Sequence, residues 1–374
     1  MKPIQMVDLG QQYKNIKREI DLGIANVIED TSFIKGAAVS EFEADLGKYL
    51  NDSYVIGCGN GTDALQIALM ALDIKPGDEV IVPSFTYVAT AEVIALLKLV
   101  PVMVDVDPNL FTMRLDQLED VVSPKTKAII PVHLYGQMAP MEQIGQFAKK
   151  HNLYVIEDTA QGIGSYHLVN GEREMASTIG DIGCLSFFPS KNLGCYGDGG
   201  ALVTRDKELA QRIRMVSNHG QAKKYYHDLI GVNSRLDSIQ AAVLKVKLEH
   251  LDAYNKARNK VAAAYSEAFQ EIEQINVPQV QEDSYHVFHQ YTMILPNGGR
   301  DDFKQYLLEK GIPSMIYYPV PIHKQKAYSS LVKKPVPLDN TEWLTDRVIS
   351  LPIHTEMGED QLEYIISAVK AYFN

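Results

Sequence analysis

The chain is short of several features that would class it at once. Its 374 residues include three cysteines, Cys58, Cys184 and Cys195, an odd number without metal-ligand spacing. A disulfide framework or a bound metal is therefore not expected. No apolar run approaches the roughly 18 residues that span a bilayer. The opening segment, Met1-Lys2-Pro3-Ile4-Gln5-Met6-Val7-Asp8, has no apolar signal-peptide core. Asn51-Asp52-Ser53 matches a glycosylation sequon, but a chain without a secretory signal would not meet that machinery. Positive charge is scarce as well. The balance of 36 Lys and Arg against 47 Asp and Glu gives a formal charge of −11, which disfavours nucleic acid and anionic membranes as general partners. Internal repeats and low-complexity tracts are missing. What remains is the expectation of a cytoplasmic metabolic enzyme. At 46% hydrophobic content the chain can bury a large core, split between two domains.

Periodicity predicts an amphipathic helix over residues 12–30, with Ile16, Ile20, Ile24, Val27 and Ile28 on one face. Ser40 and Glu43 have the spacing of a capping box and predict a second helix start. From residue 54 onward short apolar runs alternate with helical segments. The runs are 54–56, 79–82, 102–105, 128–132, 154–157, 184–188 and 201–204. Such alternation predicts an α/β domain with a mainly parallel sheet and helices on both faces. After about residue 235 the pattern changes. A long helix over 238–271, a strand over 287–295 and a helix over 301–310 predict a smaller C-terminal α+β domain. We place the two units at residues 1–250 and 251–374.

Three local patterns carry chemistry. Gly57-Cys58-Gly59-Asn60-Gly61-Thr62 joins a strand to a helix, where glycines let the backbone approach an anion at the helix N-terminus. The spacing G-x-G-x-G lacks the third glycine of a dinucleotide fingerprint, because Thr62 occupies that position. A phosphate loop or a merely structural turn both fit. Glu157-Asp158-Thr159-Ala160-Gln161 ends a predicted strand, the edge where open α/β sheets bind ligands. Asp158 there suits a protonated pyridine nitrogen, with Gln161 donating to a ring oxygen, or it is simply a helix N-cap. Lys191 follows Ser186-Phe187-Phe188-Pro189-Ser190 and precedes a glycine-rich turn. Apolar walls from Phe187, Phe188 and Pro189 would lower its pKa and make it a nucleophile and base. A lone loop lysine is ordinarily a surface residue. It is the order of the three patterns that favours a cofactor site.

Those segments, with Pro83–Thr90 and Gly231-Val232-Asn233-Ser234-Arg235-Leu236-Asp237, resemble the DegT/DnrJ/EryC1/StrS family of pyridoxal-phosphate sugar aminotransferases over nearly the whole chain. The resemblance implies a fold type I (aspartate aminotransferase-like) architecture and an obligate homodimer. It implies Lys191 as the covalent anchor and acid–base catalyst, Asp158 against the pyridinium nitrogen and Gln161 at the ring hydroxyl. Tyr87 matches the aromatic that stacks on the ring, and Gly61, Thr62 and Ser186 match phosphate contacts. Asn233 matches a residue reaching the phosphate from the neighbouring subunit. Some family members carry histidine in place of the lysine and are dehydratases, so Lys191 points to transamination.

Within the family the chain looks most similar to enzymes that aminate a UDP-linked 3-keto-N-acetylglucosaminuronic acid for bacterial surface polysaccharide (O-antigen). L-glutamate is the implied amino donor, and pyridoxamine phosphate the implied alternate form of the cofactor. Arg235 would then bind the uronate carboxylate bidentately, or serve a structural role as an ion pair with Asp237 or a helix cap. Tyr317, Tyr318 and His323 match a segment bordering the substrate. Lys223 and Lys224 read as a solvated charged loop, with a diphosphate contact as the sharper alternative. The competing readings are a dTDP-3-keto-6-deoxyhexose aminotransferase, a nicotinamide-dependent dehydrogenase and a pyridoxal-phosphate-binding regulator.

Overall fold

The computed structural model of the chain describes residues 2–373; residues 1 and 374, the outer bounds of the two expected units, lie outside the described residues. The seven apolar runs of the first unit all become strands of one sheet: β1 (Tyr54–Cys58), β2 (Glu79–Pro83), β3 (Val100–Val104), β4 (Thr126–Ile129), β5 (Tyr154–Asp158), β6 (Ile182–Ser186) and β7 (Gly200–Thr204). Their spatial order is β1-β7-β6-β5-β4-β2-β3. The pairs β6–β5, β5–β4, β4–β2 and β2–β3 are parallel. Only β7 runs against its neighbours, pairing antiparallel with both β1 and β6.

Continuous apolar runs suit this sheet because helices cover both faces. Val80, Ile81 and Val82 of β2 are all fully buried, although successive side chains point to opposite faces. Each contributes about 1.5–3 kcal/mol by leaving water. Val80 and Val82 join the cluster beneath the Gly61–Ala71 and Ala89–Leu96 helices, and Ile81 joins the opposite cluster with Met141, Ile144 and Phe147. A further core lies toward the C-terminus. It gathers Val261, Tyr265 and Phe269, Tyr291 and Met293, Phe303 and Leu307, and Ile365 and Val369, together with Ile4 from the other end of the chain.

Several expectations change in detail. The 12–30 helix is two helices, Leu9–Asn15 and Lys17–Glu29, interrupted at Ile16. Ile16, Ile20 and Val27 are buried, whereas Ile28 is half exposed. Ser40 is not a cap. The helix begins at Ala37, Ser40 Oγ donates to the Ala37 carbonyl, and Glu43 accepts from the Gly57 amide and pairs with Arg214. The expected 238–271 helix breaks at Glu249 and His250 into Ser238–Leu248 and Leu251–Phe269. The strand expected over 287–295 covers only Tyr291–Ile294. Residues before it turn toward the sheet edge, with functional consequences.

Candidate active site

The parallel strands all point their C-terminal ends at one edge of the sheet, and antiparallel β7 brings its N-terminal end there. A cavity of about 660 Å³ opens at that edge, within the usual range of roughly 300–1,000 Å³ for small-molecule sites. After β1 the chain enters the Gly61–Ala71 helix. Asn60 caps it, its side chain accepting from the Asp63 amide at 2.8 Å. Gly61 and Thr62 hold the first two helical amides, which no earlier carbonyl can satisfy. They face the end of β6. A Cβ on Gly61 would sit 2.7 Å from Ser186 Cβ, and one on Gly200 would sit 2.4 Å from the Asn60 carbonyl carbon. Side chains at these positions would fill the cradle, so glycine keeps it open. The outer support is Ser234, whose hydroxyl donates to Asp63 at 2.6 Å and accepts from the Gly59 amide at 2.9 Å. The result is a pocket for a phosphate: two free amides at a positive helix end, with the Thr62 and Ser186 hydroxyls beside them.

Asp158 closes β5 and is almost fully buried. Thr90 Oγ1 donates to its Oδ2 at 2.8 Å and the Ala160 amide to its Oδ1 at 3.2 Å. Burial raises the carboxyl above its ordinary value; Thr90, Ala160 and the Lys191 charge pull the other way. This environment would welcome a cation against the carboxylate. Gln161 Oε1 accepts from the Tyr135 amide at 2.7 Å, and its Nε2 donates to Tyr318 Oη at 3.1 Å. The β5 end is itself braced from behind. The Ala139 amide donates to His133 Nδ1, so His133 donates from Nε2 to Glu157 at 3.0 Å. Burial pushes the Glu157 carboxyl up, but His133 and the Ser177, Ile179 and Gly180 amides outweigh it and hold Glu157 charged.

Lys191 sits on a tight loop between β6 and β7. Its amide donates to the Phe188 carbonyl at 2.8 Å. A Cβ on Gly194 would lie 2.4 Å from the Pro189 carbonyl oxygen, so the loop folds closely on itself. Buried Lys247 reaches in from the Ser238–Leu248 helix and donates to the Gly194 carbonyl at 2.7 Å. Phe187 packs into the core against Phe42, rather than walling the lysine, while Phe188 lines the cavity. Burial lowers the Lys191 ammonium to about 8, and Asp158 only partly opposes it. An amine so placed is available as a nucleophile near neutral pH.

Of the residues expected from the sequence, Gly61, Thr62, Tyr87, Asp158, Gln161, Ser186, Lys191, Tyr317 and Tyr318 all line this cavity. Asn233, Arg235 and His323 do not. Asn233 is exposed, bridging Asn218 on the outer surface. Arg235 lies near Lys35, whose ammonium is lowered by burial and then by the Arg235 and Arg214 charges. His323 is buried elsewhere, with Nε2 3.0 Å from Glu342. Lys223 and Lys224 lie over the rings of Tyr226 and Tyr225 on an exposed hairpin, residues 221–227. The residues missed are Thr86, Thr90, His289 and Gln290. Thr86 Oγ1 is buried in the cavity wall without a partner among the described residues, which suits a ligand contact. Thr86 and Thr90 were visible in the Pro83–Thr90 segment, whereas the strand expected over 287–295 concealed His289.

An anion cradle, a buried carboxylate, an activated lysine and an exposed aromatic ring at Tyr87 therefore meet in one cavity, and together they fit pyridoxal phosphate. They define the class: a pyridoxal-phosphate enzyme with the fold type I arrangement. The profile of the DegT/DnrJ/EryC1/StrS aminotransferase family matches residues 14–370, and the chain belongs to that family. A Geobacillus stearothermophilus protein named pleiotropic regulatory protein is 45% identical, covering 99% of this chain and 98% of its own. An Acidithiobacillus ferrooxidans UDP-N-acetyl-3-dehydro-alpha-D-glucosamine 3-aminotransferase is 44% identical over 98% and 97% of the two chains. The Pseudomonas aeruginosa UDP-2-acetamido-2-deoxy-3-oxo-D-glucuronate aminotransferase is 43% identical over 98% and 99%. Among solved structures, a Brucella abortus family member superposes with a TM-score of 0.95 at 41% identity, covering 99% of this chain and 100% of that one. The Bacillus subtilis protein NtdA with bound cofactor PMP superposes at 0.89 with 32% identity, over 96% and 82%. The chain is thus an aminotransferase that uses pyridoxal phosphate. Among the described residues, no helix is long and apolar enough to cross a membrane, and no cluster could hold a metal.

Proposed function

We propose that this aminotransferase moves the amino group of L-glutamate onto a UDP-linked 3-keto sugar bearing a 2-acetamido group, the keto-glucuronate foremost. Its product would be a 3-amino sugar for bacterial surface polysaccharide. The observation that carries the reading is the set Lys191, Asp158 and the Gly61–Thr62 cradle in one cavity, in a chain 43–44% identical to two enzymes named for such substrates. When bound, pyridoxal phosphate supplies an electrophilic carbonyl and an electron-withdrawing ring. The residues do the rest. Gly61, Thr62 and Ser186 bind phosphate oxygens. Asp158, held by Thr90, would keep a ring-nitrogen proton in place, and Gln161 would orient the ring through its oxygen substituent. Tyr87 covers a ring face. Lys191 Nζ is the group that would hold the cofactor through its carbonyl carbon, and the amine, once free, would take the α-carbon proton of glutamate and return a proton on the sugar side.

The same proposal makes the chain a homodimer with shared sites in the cytoplasm. Asn233 and Arg235 lie outside their own cavity, and Phe33, Ile34, Tyr225, Tyr226 and Ile230 are exposed apolar side chains. Apolar exposure of this kind suits an interface. Asn233 would then complete the partner's phosphate cradle, and Arg235 would meet the uronate carboxylate there. The division into units 1–250 and 251–374 belongs to the proposal too, supported by the separate C-terminal core. A substrate panel tests the specificity. The reverse reaction is run with 2-oxoglutarate and 3-amino sugars on UDP or dTDP, with C5 carboxylate or hydroxymethyl. The reading expects the highest kcat/KM for the UDP uronate. Higher kcat/KM for a dTDP-6-deoxyhexose would overturn it.

A further inference from the structure

His289 has no role in the account so far, yet it is 5% exposed and lines the Lys191 cavity. Its hydrogen-bond partners determine which nitrogen carries the proton. Asn192, adjacent to Lys191, places its Nδ2 3.0 Å from the Val287 carbonyl and 2.7 Å from Asn255 Oδ1. A backbone carbonyl can only accept, so that end of the Asn192 amide is the nitrogen. The other end is therefore the oxygen, and it lies 3.2 Å from His289 Nδ1. An amide oxygen cannot donate either. His289 must donate from Nδ1, which leaves Nε2 as a lone pair.

The relay continues behind Asn192. Asn255 Nδ2 donates to the Ile163 carbonyl at 3.3 Å, so its oxygen is free to accept from Asn192. One helix, Leu251–Phe269, supplies the side chains that brace this relay from behind. Besides Asn255 it carries Arg258, fully buried, whose Nη1 donates to the Phe288, His289 and Ile353 carbonyls at 3.3, 3.2 and 3.0 Å. It also carries Asn259, which donates to the His286 carbonyl at 2.9 Å. The imidazole is thus fixed in place, tautomer and orientation. Among the described residues, the one hydrogen-bond contact of that lone pair is Gln290, with Nε2 at the outer limit of 3.5 Å, and Lys191 lines the same cavity. Burial, then the Lys191 and Arg258 charges, keeps the ring neutral.

We propose that His289 is a positioning residue for Lys191: its Nε2 lone pair accepts a hydrogen bond from the Lys191 amine and aims it during proton transfer. A neutral acceptor suits this task. It can hold an amine N–H without neutralising the amine's lone pair, and it cannot attract a substrate carboxylate into the lysine's place. The inference rests on Lys191 being the covalent and proton-transferring amine, as proposed above.

Two substitutions separate this role from a structural one. H289Q keeps an acceptor oxygen at the position of Nε2 and gives up the Nδ1 donor. H289N keeps a donor at the position of Nδ1 and gives up the acceptor in the cavity. The prediction is a fall in kcat of about 10–100-fold for H289N, the scale of lost positioning or acid–base assistance. KM for glutamate should stay within about threefold. H289Q should retain kcat within about fivefold, since the acceptor survives. Two readouts are independent of turnover. Long-range 1H–15N spectra of the cofactor-free full chain should show His289 as the Nδ1–H tautomer, and a protonated or Nε2–H ring would overturn the proposal. Cofactor affinity should be the same for both variants and the unmodified chain. The reverse order, with H289Q crippled and H289N active, or equal kcat in both, also overturns it. Borohydride reduction and peptide mapping of the same samples keep the two questions apart. A pyridoxyl group away from Lys191 defeats the underlying assignment, whereas its presence on Lys191 with the wrong order of variants defeats only the role of His289.

Discussion

Lys191 should make the cofactor-free protein less stable than it would be with an uncharged residue there, and pH should reveal it. Burial lowers its ammonium from an ordinary 10.5 to about 8. The folded chain therefore binds this proton less tightly than the unfolded chain. Between pH 8 and 10.5 the unfolded state binds more protons, so stability rises with pH across that window. Below pH 8 both states are protonated, and the full cost of holding the charge in the cavity applies. At 1.36 kcal/mol per pKa unit, that cost is about 3 kcal/mol. Lys191→Met removes the charge at similar length. The cofactor-free variant should be more stable than the unmodified chain at pH 7 by about 1–3 kcal/mol, the lower end allowing for partial relaxation and lost attraction to Asp158. The difference should shrink toward zero as pH approaches 10.5. Denaturant unfolding of both cofactor-free chains from pH 7 to 10 measures this directly. A less stable variant at pH 7, or a gap independent of pH, would refute the reasoning. The case is one of function retained at the expense of stability.

Other outcomes follow from the same geometry. Thr90→Val deletes the 2.8 Å donor to Asp158; a hydrogen bond to a charged group contributes about 1.5–3 kcal/mol. Its loss raises the carboxyl's pKa, so the acidic limb of the kcat/KM profile should move up by about 1–2 pH units; an unmoved limb counts against Asp158 as the working anion. Gly61→Ala places a Cβ 2.7 Å from Ser186 Cβ and should weaken cofactor binding by about tenfold or more, or 1.4 kcal/mol. Equal affinity in an equilibrium titration would remove the cradle from the account. Inactive Lys191→Ala and Asn233→Ala chains, dissociated and reassembled at equal concentration, should regain about a quarter of full activity. Half the dimers are then mixed, and each carries one intact site. No regain would mean that the sites are not shared.

Much of the architecture was legible because it rests on local patterning. Fully apolar runs such as Val80–Val82 need cover on both faces, which in a single chain means helices alternating with strands. The glycines at 59 and 61 marked a backbone approach that a Cβ would block. What stayed hidden was nonlocal. Thr90 acts on Asp158 across 68 residues of chain and His289 on Asn192 across 97, and neither pairing leaves a spacing to read. The Val287–Leu295 alternation suggested a strand, but only Tyr291–Ile294 forms one, and before it His289 and Gln290 line the cavity instead. His323 and Arg235 carried suitable chemistry in suitable segments, yet packing placed His323 against Glu342 and left Arg235 outside its own cavity.

The most direct test of the central claim is a visible absorption spectrum of the pyridoxal-phosphate-loaded chain before and after L-glutamate, taken beside the Lys191→Ala variant. The account predicts an absorption band from the covalently held cofactor that glutamate discharges with release of 2-oxoglutarate, and neither band nor discharge in the variant. A Lys191→Ala chain that keeps both would contradict it.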